Sequence, residues 1–203
     1  MNQAVQTAHA LKSGLGCAAP EAGALDLTRP EDFDTIVVLY QKKLYRFLLG
    51  MLRDPDAAES LAQDCLLKAY ENRAGFRGQS SVSTWLLSIA VNLVRDHRRN
   101  RRLDFWRKLF QSAEQYGAAA AAVPDRHSSP EGSLLARERM ETVWQAVEQL
   151  STQQRAVFLL RFVEEMSLEE IAEVTRLKVG TVKVHLFRAV HAVRGHAHDR
   201  RKQ

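Results

Sequence analysis

The chain has little cysteine, with only Cys17 and Cys65 among its 203 residues. These two residues have no metal-ligand spacing and form no disulfide framework, which favours a reducing compartment. No apolar run approaches the ~20 residues that a membrane-spanning helix needs. The N-terminus also lacks the charged segment and apolar core of a signal peptide. The sequence therefore predicts a cytoplasmic protein without a structural metal.

Catalytic patterns are scarce as well. No Ser/His/Asp or Cys/His set and no phosphate-binding glycine loop is evident, and the carboxylates fall mostly on polar faces of predicted helices. His191, His196 and His198 could be considered as metal ligands, but incidental histidines in a polar helix end explain them better. We expect no cofactor, and an enzyme is the disfavoured alternative.

Positive charge is concentrated in two blocks. The formal net charge is +5 and the pI is about 9.4, yet 15 of the 29 Lys and Arg residues lie within 95–108 and 176–202. Two separated basic blocks suggest two separated contacts with a polyanion. A solvated helix end remains the simpler alternative for the first block, since cations are favoured at helix C-termini.

The C-terminal region has the pattern of a helix-turn-helix. Ser167 and Glu170 have the spacing of a capping box, which predicts that a helix begins there. The apolar pattern breaks over Thr175–Lys178, which predicts a short turn. A second helix is expected from about Val179.

The second helix of this motif has two distinct faces. Its apolar stripe, expected to pack inward, comprises Val182, Leu186, Ala189, Val190 and Val193. The opposite face carries Lys183, Val184, Phe187 and Arg188, so that an aromatic side chain lies among cations. This combination fits docking in a DNA major groove. An ordinary solvated face with one exposed Phe is the alternative.

The N-terminal half predicts three helices and a loop. An apolar stripe runs from Phe33 to Met51, and Asp54-Pro55 then ends one helix and begins the next. Residues 72–81 contain two glycines and predict a loop. The third helix begins near Ser83 and continues into the first basic block. Alanine and proline over Gly117–Pro130 indicate a linker.

Together these patterns predict an all-α protein of two helical domains joined by a flexible linker. The expected division is a disordered extension over 1–31, a first domain over 32–104, a linker over 105–133, a second domain over 134–198 and a basic tail over 199–203.

Two sets of motifs resemble a known family, the extracytoplasmic-function (ECF) sigma factors of bacterial RNA polymerase. The segments LSTQQRAVFLLRFVEEMSLEEIAEV and VGTVKVHLFRAV are similar to region four of that family, within Met140–Arg194. The segments AESLAQDCLLKAY and STWLLSIAVNLVRDHRR are similar to its region two, within Phe33–Arg102. The two sets occur in the family's order.

The resemblance implies a role for each region. Region two would dock on the clamp of the polymerase largest subunit through Ser60, Gln63 and Asp64, and region four would contact promoter DNA near the flap. The resemblance also implies control by an anti-sigma factor. The residues expected to bind the minus-ten element are Asn72, Phe76, Gln79, Ser80, Trp85, Asn92, Arg95, Arg98 and Arg99. Those expected to bind the minus-thirty-five element are Lys178, Thr181, Lys183, Val184, Phe187 and Arg188.

The chemistry of the first set agrees with that assignment. A loop with Phe76 and polar neighbours can hold an unstacked base by stacking and edge hydrogen bonds. Arginines beside the loop can neutralise phosphates.

Four positions depart from the family pattern, one of them Asp64, which replaces the more frequent glutamate. Ser60 stands where an acidic residue is usual, and Lys178 replaces the usual serine helix cap. Arg176 replaces the usual glycine of the turn, and holding a residue with a Cβ at positive φ costs ~1 kcal/mol.

The sequence thus predicts a non-enzymatic sigma factor that binds core RNA polymerase and directs promoter-specific initiation. A free-standing helix-turn-helix regulator is the main alternative. It would share the C-terminal half, but it does not account for Phe33–Arg102 with its aromatic loop and basic block.

Overall fold

The computed structural model describes residues 30–111 and 142–199, with side-chain surroundings over 33–101 and 142–196. All regular structure within these ranges is helical, which confirms the all-α prediction for them. The helices are α1 (Pro30–Leu52), α2 (Pro55–Asn72), α3 (Val82–Gln111), α4 (residues 142–148), α5 (Thr152–Phe162), α6 (Leu168–Thr175) and α7 (Val179–Asp199). A single 3-10 turn, Arg73–Gly75, follows α2.

The turn between α1 and α2 forms as its sequence predicts. Arg53 adopts a left-handed φ of 57° after α1, and its amide donates to the Leu49 carbonyl at 2.8 Å. Asp54 is the N-cap of α2, where its carboxylate accepts from the Ala57 amide at 3.1 Å, and Pro55 occupies the first turn. Phe33, near the start of α1, contacts Tyr70 at the end of α2 edge to face, with ring centroids 5.3 Å apart. The two helices are therefore antiparallel.

The third helix completes the first domain. Ser81 precedes α3 and accepts from the Thr84 amide at 3.0 Å, in the geometry of an N-cap. The domain core is built from the inward faces of α1, α2 and α3. Its fully buried side chains include Ile36, Leu44, Phe47, Leu48, Met51, Ala58, Cys65, Ala69, Leu86, Leu87, Ala90 and Val94.

The second domain contains the helix-turn-helix that the sequence predicts. Ser167 accepts from the Glu170 amide at 3.1 Å, and the Glu170 carboxylate accepts from the Ser167 amide at 2.7 Å, so the capping box is formed. After α6, Arg176 adopts φ 56° and ψ 39°, the left-handed conformation expected for a helix C-terminus. The Leu177 amide then donates to the Ala172 carbonyl at 3.0 Å.

Some predicted segment boundaries fall within helices or beyond the described residues. Helix α1 begins at Pro30, α3 continues to Gln111 and α7 continues to Asp199. The rest of the expected extension, 1–29, and most of the expected linker, 112–133, lie outside the described ranges. The division into these segments stays a prediction.

The two helical domains pack against each other. Helix α1 contacts α5, and α3 contacts α6, so that the buried side chains of both domains form one continuous core. The sequence patterns did not predict this contact.

Candidate nucleic-acid interface

The outward face of α7 is built as the sequence predicts. Val182, Ala189 and Val193 are buried, and Leu186 is half-buried against the same core. Val190 is half-buried as well. On the other side, Lys183, Val184, Phe187 and Arg188 are all exposed. Phe187 is 73% exposed, which places a large aromatic surface in solvent beside two cations. The helix therefore presents groups that can contact phosphates, base edges and sugars.

One residue of this face was missed by the sequence reasoning. The ring of His191 lies stacked on Phe187, with centroids 6.2 Å apart and an interplanar angle of 13°. The i, i+4 spacing of these two residues could have indicated the pair.

The turn before α7 positions the remaining predicted contacts of the second domain. The Lys178 carbonyl accepts from the amides of Thr181 and Val182, at 2.8 and 3.0 Å. The side chains of Lys178 and Thr181 are exposed. They lie at the start of the helix, next to its outward face.

The predicted minus-ten loop holds its aromatic residue against α3. The rings of Phe76 and Trp85 are 5.0 Å apart, and both side chains are half-buried. Asn72 is exposed and donates from its amide nitrogen to the Lys68 carbonyl at 2.7 Å. Gln79 is exposed and Ser80 is half-buried. The loop thus presents an aromatic pair edged by polar groups.

The arginines of α3 differ in their surroundings. Arg99 is exposed and pairs with Asp96 at 3.2 Å. Arg95 donates to the Thr175 carbonyl at 3.4 Å, and Arg98 donates to Thr152 Oγ1 at 2.8 Å. Asn92 is half-buried one turn before. Two of the three arginines predicted to bind phosphate therefore contact the second domain in this structure.

Arg98 also contacts its own domain. It donates through Nη2 to the carbonyl of Met51 at 3.1 Å. Burial, followed by repulsion from Arg101, lowers the pKa of the Arg98 guanidinium.

The predicted polymerase-binding face of α2 is available. Ser60, Gln63 and Asp64 are exposed on the side of α2 that faces away from the core. Leu67, three residues after Asp64, is 57% exposed on the same side and was missed by the sequence reasoning. Helical spacing from Gln63 and Asp64 could have identified it.

Cys65 has a structural role on the opposite side of α2. Its thiol is buried and donates to the Leu86 carbonyl at 3.4 Å, which joins α2 to α3. Burial, followed by the charge of Asp64, raises the pKa of the thiol to about 12. The thiol is therefore protonated near neutral pH and unsuited to nucleophilic chemistry.

Within the described ranges, no group of three or more His, Cys, Asp and Glu residues could hold a metal ion. Over the same part of the chain, none of the helices has the length and hydropathy to cross a membrane.

Models of two protein families match the chain in consecutive ranges. The model described as Sigma-70 region 2 matches residues 36–103, which contain α2, the aromatic loop and most of α3. The model described as Sigma-70, region 4 matches residues 140–192, which contain the helix-turn-helix.

Several curated proteins are similar over most of the chain. The RNA polymerase sigma-H factor of Pseudomonas aeruginosa is 36% identical over 163 residues, which cover 79% of this chain and 83% of that protein. The ECF RNA polymerase sigma factor SigW of Bacillus subtilis is 32% identical over 171 residues, which cover 82% of this chain and 89% of that protein. The ECF RNA polymerase sigma-E factor of Escherichia coli is 32% identical over 166 residues, which cover 79% of this chain and 84% of that protein.

Solved structures share the fold. The sigma factor RpoE of Bartonella quintana, solved in complex with the anti-sigma factor NepR, matches with a TM-score of 0.61 at 23% identity, covering 82% of this chain and 96% of that one. CnrH, solved in complex with the cytosolic domain of CnrY, matches with a TM-score of 0.57 at 18% identity. The match covers 85% of this chain and 96% of CnrH as solved. At these identities the similarity bears on the helical fold alone.

Proposed function

Because this chain belongs to the ECF sigma factors, whose function is promoter-specific transcription initiation, we propose that its two domains divide promoter recognition between the surfaces described above. The first domain binds core RNA polymerase and captures the minus-ten element. The second domain binds the minus-thirty-five element as duplex DNA. The role is regulatory rather than catalytic.

The exposed face of α7 is the observation that carries the proposal for the second domain. Helix α6 is capped at both ends, and α7 is anchored to the core by its buried stripe. The outward side chains of Lys183, Phe187 and Arg188 therefore project from a fixed support. Such a helix can enter the major groove, where cations contact phosphates or guanine edges and apolar atoms contact a thymine methyl group.

In the first domain, the surfaces for polymerase and for DNA lie on different helices. Gln63 and Asp64 lie on the outer face of α2, where Asp64 offers a negative charge to the polymerase clamp. Phe76 and Trp85 form the aromatic platform at the start of α3, and the arginines of α3 follow it. A base unstacked from melted DNA can stack on such a platform while the arginines bind its flanking phosphates.

Core RNA polymerase, through its clamp and flap, is the proposed partner, and the cytoplasm is the proposed location. An anti-sigma factor is a further proposed partner. Two proteins of similar fold were solved bound to the anti-sigma factor NepR and to the cytosolic domain of CnrY.

Run-off transcription tests the proposal. The purified chain is combined with core polymerase and a library of genomic promoter fragments, and the transcripts are sequenced. We expect starts that core polymerase alone does not produce. A mobility-shift assay on the same fragments without polymerase tests the alternative of a free-standing regulator. Tight specific binding there, together with no transcription above core alone, would favour that alternative and contradict the proposal.

A further inference from the structure

The outward face of α7 continues beyond the four residues assigned to it above. At 100° per residue, His191 lies ~40° around the helix from Phe187 and ~160° from the buried Ala189 and Val193. The side chains of His191 and Arg194 are both exposed. The face that is free to contact a ligand is therefore longer, by almost two turns, than the part from Lys183 to Arg188.

His191 restrains the exposed aromatic ring of this face. The rings of Phe187 and His191 are nearly parallel, with an interplanar angle of 13° and centroids 6.2 Å apart, which lies within the usual range for an aromatic pair. Phe187 is 73% exposed, so little else limits its rotation. Ordering a free side chain on binding costs entropy. A ring that is already held by its neighbour loses less, and the stack therefore prepares Phe187 for contact with DNA.

The charges around His191 are all positive. The sequence has no acidic residue between Glu173 and Asp199. Of the described helices, α5 and α6 pack on α7, from the side of its buried stripe. In the described part of the chain, helical spacing thus places two exposed guanidinium groups beside the imidazole, those of Arg188 and Arg194. A protonated imidazole has no carboxylate of its own helix to pair with, and a polyanion would supply the missing negative charge.

The position of His191 along α7 selects the part of DNA that it would meet. In a helix-turn-helix, the N-terminal residues of the second helix contact the base edges. His191 lies ~18 Å along the axis from Val179, where α7 begins, at 1.5 Å per residue. The major groove is only ~12 Å wide. A helix that enters the groove by its N-terminus has therefore reached the sugar-phosphate backbone at His191.

We propose that His191 is a further DNA-contacting residue of α7, which stacks on Phe187 to hold that ring ready for DNA and, when protonated, binds a phosphate that flanks the minus-thirty-five element. This inference rests on the proposed function. It adds a proton to the binding reaction. Because histidine changes its charge between pH 5 and 8 and only the cation attracts a phosphate, affinity should rise as the pH falls through this range.

Three replacements of His191 separate the ring from the charge. His191→Gln removes both. His191→Tyr keeps an aromatic ring that can stack on Phe187 but gains no positive charge. His191→Lys keeps a positive charge at every pH used and removes the ring. Because His191 is exposed, none of the three should change the melting temperature, and circular dichroism checks this.

Binding is measured with polymerase that carries the full-length chain. The probe is a fluorescent duplex from a promoter identified by run-off transcription, which contains the minus-thirty-five element and ends before the minus-ten element. Anisotropy gives the affinity at pH 6 and pH 8, each between 50 and 200 mM salt. His196→Gln is the matched control, because His196 is half-buried and lies ~140° around α7 from His191.

The salt dependence tests the phosphate contact. For the original chain, the slope of log affinity against log salt should be steeper by ~0.9 at pH 6 than at pH 8, the value for one further phosphate contact. His191→Gln and His191→Tyr should lose this difference, and His196→Gln should keep it. His191→Lys should have the steeper slope at both pH values. An equal slope at both pH values in the original chain, or an undiminished difference in His191→Gln, would overturn the phosphate contact.

The affinity at pH 8 tests the stack, because the imidazole is then mostly neutral. His191→Gln should bind about 2-fold more weakly than the original, as expected for the loss of an i, i+4 side-chain pair, and His191→Tyr should bind as the original does. In a chain that already carries Phe187→Ala, His191→Gln should cause no further loss, since no ring remains to be held. The full 2-fold loss in that double variant would overturn the role of His191 in positioning Phe187.

The result can be separated from that of the proposed function. If the original chain directs run-off transcription and His191→Gln keeps the pH-dependent slope, the phosphate contact of His191 is wrong and the function stands. If the original chain never directs initiation, the proposed function itself fails.

Discussion

Phe76 packs on Trp85 with ring centroids 5.0 Å apart, which joins the loop after α2 to the first turn of α3. Both rings are half-buried, so each keeps a surface that a base can contact. The loop is thus held by an aromatic contact at the place where a melted strand is proposed to bind. Base stacking on such a side chain contributes ~1–3 kcal/mol.

Phe76→Ala should weaken capture of the minus-ten strand. We expect the holoenzyme to bind a single-stranded minus-ten oligonucleotide less tightly by ~1–3 kcal/mol, because one stacking surface is lost. Fluorescence anisotropy with a labelled oligonucleotide measures the change. Phe162→Ala, which removes a half-buried aromatic ring in the second domain, is the control and should leave oligonucleotide binding unchanged. Equal losses in both variants would contradict a specific role for Phe76.

Asp64→Lys should weaken binding to core polymerase. Asp64 is exposed on the outer face of α2, so reversing its charge alters a surface contact without disturbing the core. Dissociation constants from labelled core polymerase measure the effect, and circular dichroism should show unchanged helicity. Glu59→Lys makes the same charge change at an exposed position about 140° around the α2 axis from Asp64 and should bind nearly as well as the original. If Asp64→Lys binds core polymerase as tightly as the original chain does, the docking surface does not include Asp64.

Phe187→Ala should reduce promoter activity while leaving stability nearly unchanged. The ring is 73% exposed, so its removal creates no cavity, but it takes away apolar contact with DNA. Ile171→Ala is the opposite control, because Ile171 is fully buried and its truncation should cost ~2–5 kcal/mol of stability. Urea unfolding and run-off transcription are measured on both. A large loss of stability in Phe187→Ala would show that the wrong face of α7 was assigned to DNA.

Arg176→Gly should stabilise the second domain. Arg176 has φ 56°, a conformation that glycine adopts without the steric cost of a Cβ. Removing the steric cost should raise the free energy of unfolding by ~1 kcal/mol. The net gain should be smaller, because glycine also gives the unfolded chain more conformational freedom. Chemical unfolding measures the difference. Glu173→Gly, inside α6, should instead destabilise the domain by ~1 kcal/mol. If both substitutions change the stability in the same direction, the steric cost assigned to Arg176 is wrong.

Local features of this fold could be predicted because their causes lie within a few residues. Asp54 caps the helix that Pro55 begins, and Ser167 and Glu170 satisfy each other's amides three residues apart. The local pattern predicted a short turn over Thr175–Lys178, whereas the left-handed conformation of Arg176 was expected from the glycine that the family usually has at this position. The stripe on α7 likewise follows from helical spacing alone, which is why its exposed face was identified correctly.

The domain junction could not be predicted, because its partners are distant in sequence. Arg155 donates to the Met51 carbonyl at 2.7 Å, and the two residues are 104 positions apart. At Gly50 a Cβ would lie 3.1 Å from Leu159 Cδ1, a tight approach that no local pattern indicates. Arg155 was a possible signal, since it directly precedes the apolar, buried run of α5. Its carbonyl partners depend on how two separate domains dock.

Selection of promoter sequences by a variant of α7 tests the central claim most directly. A promoter library randomised at both elements is transcribed by polymerase carrying the original chain or Arg188→Gln, and the transcribed templates are sequenced. The account predicts that the preferred bases change at the minus-thirty-five element and stay the same at the minus-ten element. Unchanged preference at the minus-thirty-five element, or a change confined to the minus-ten element, would contradict it.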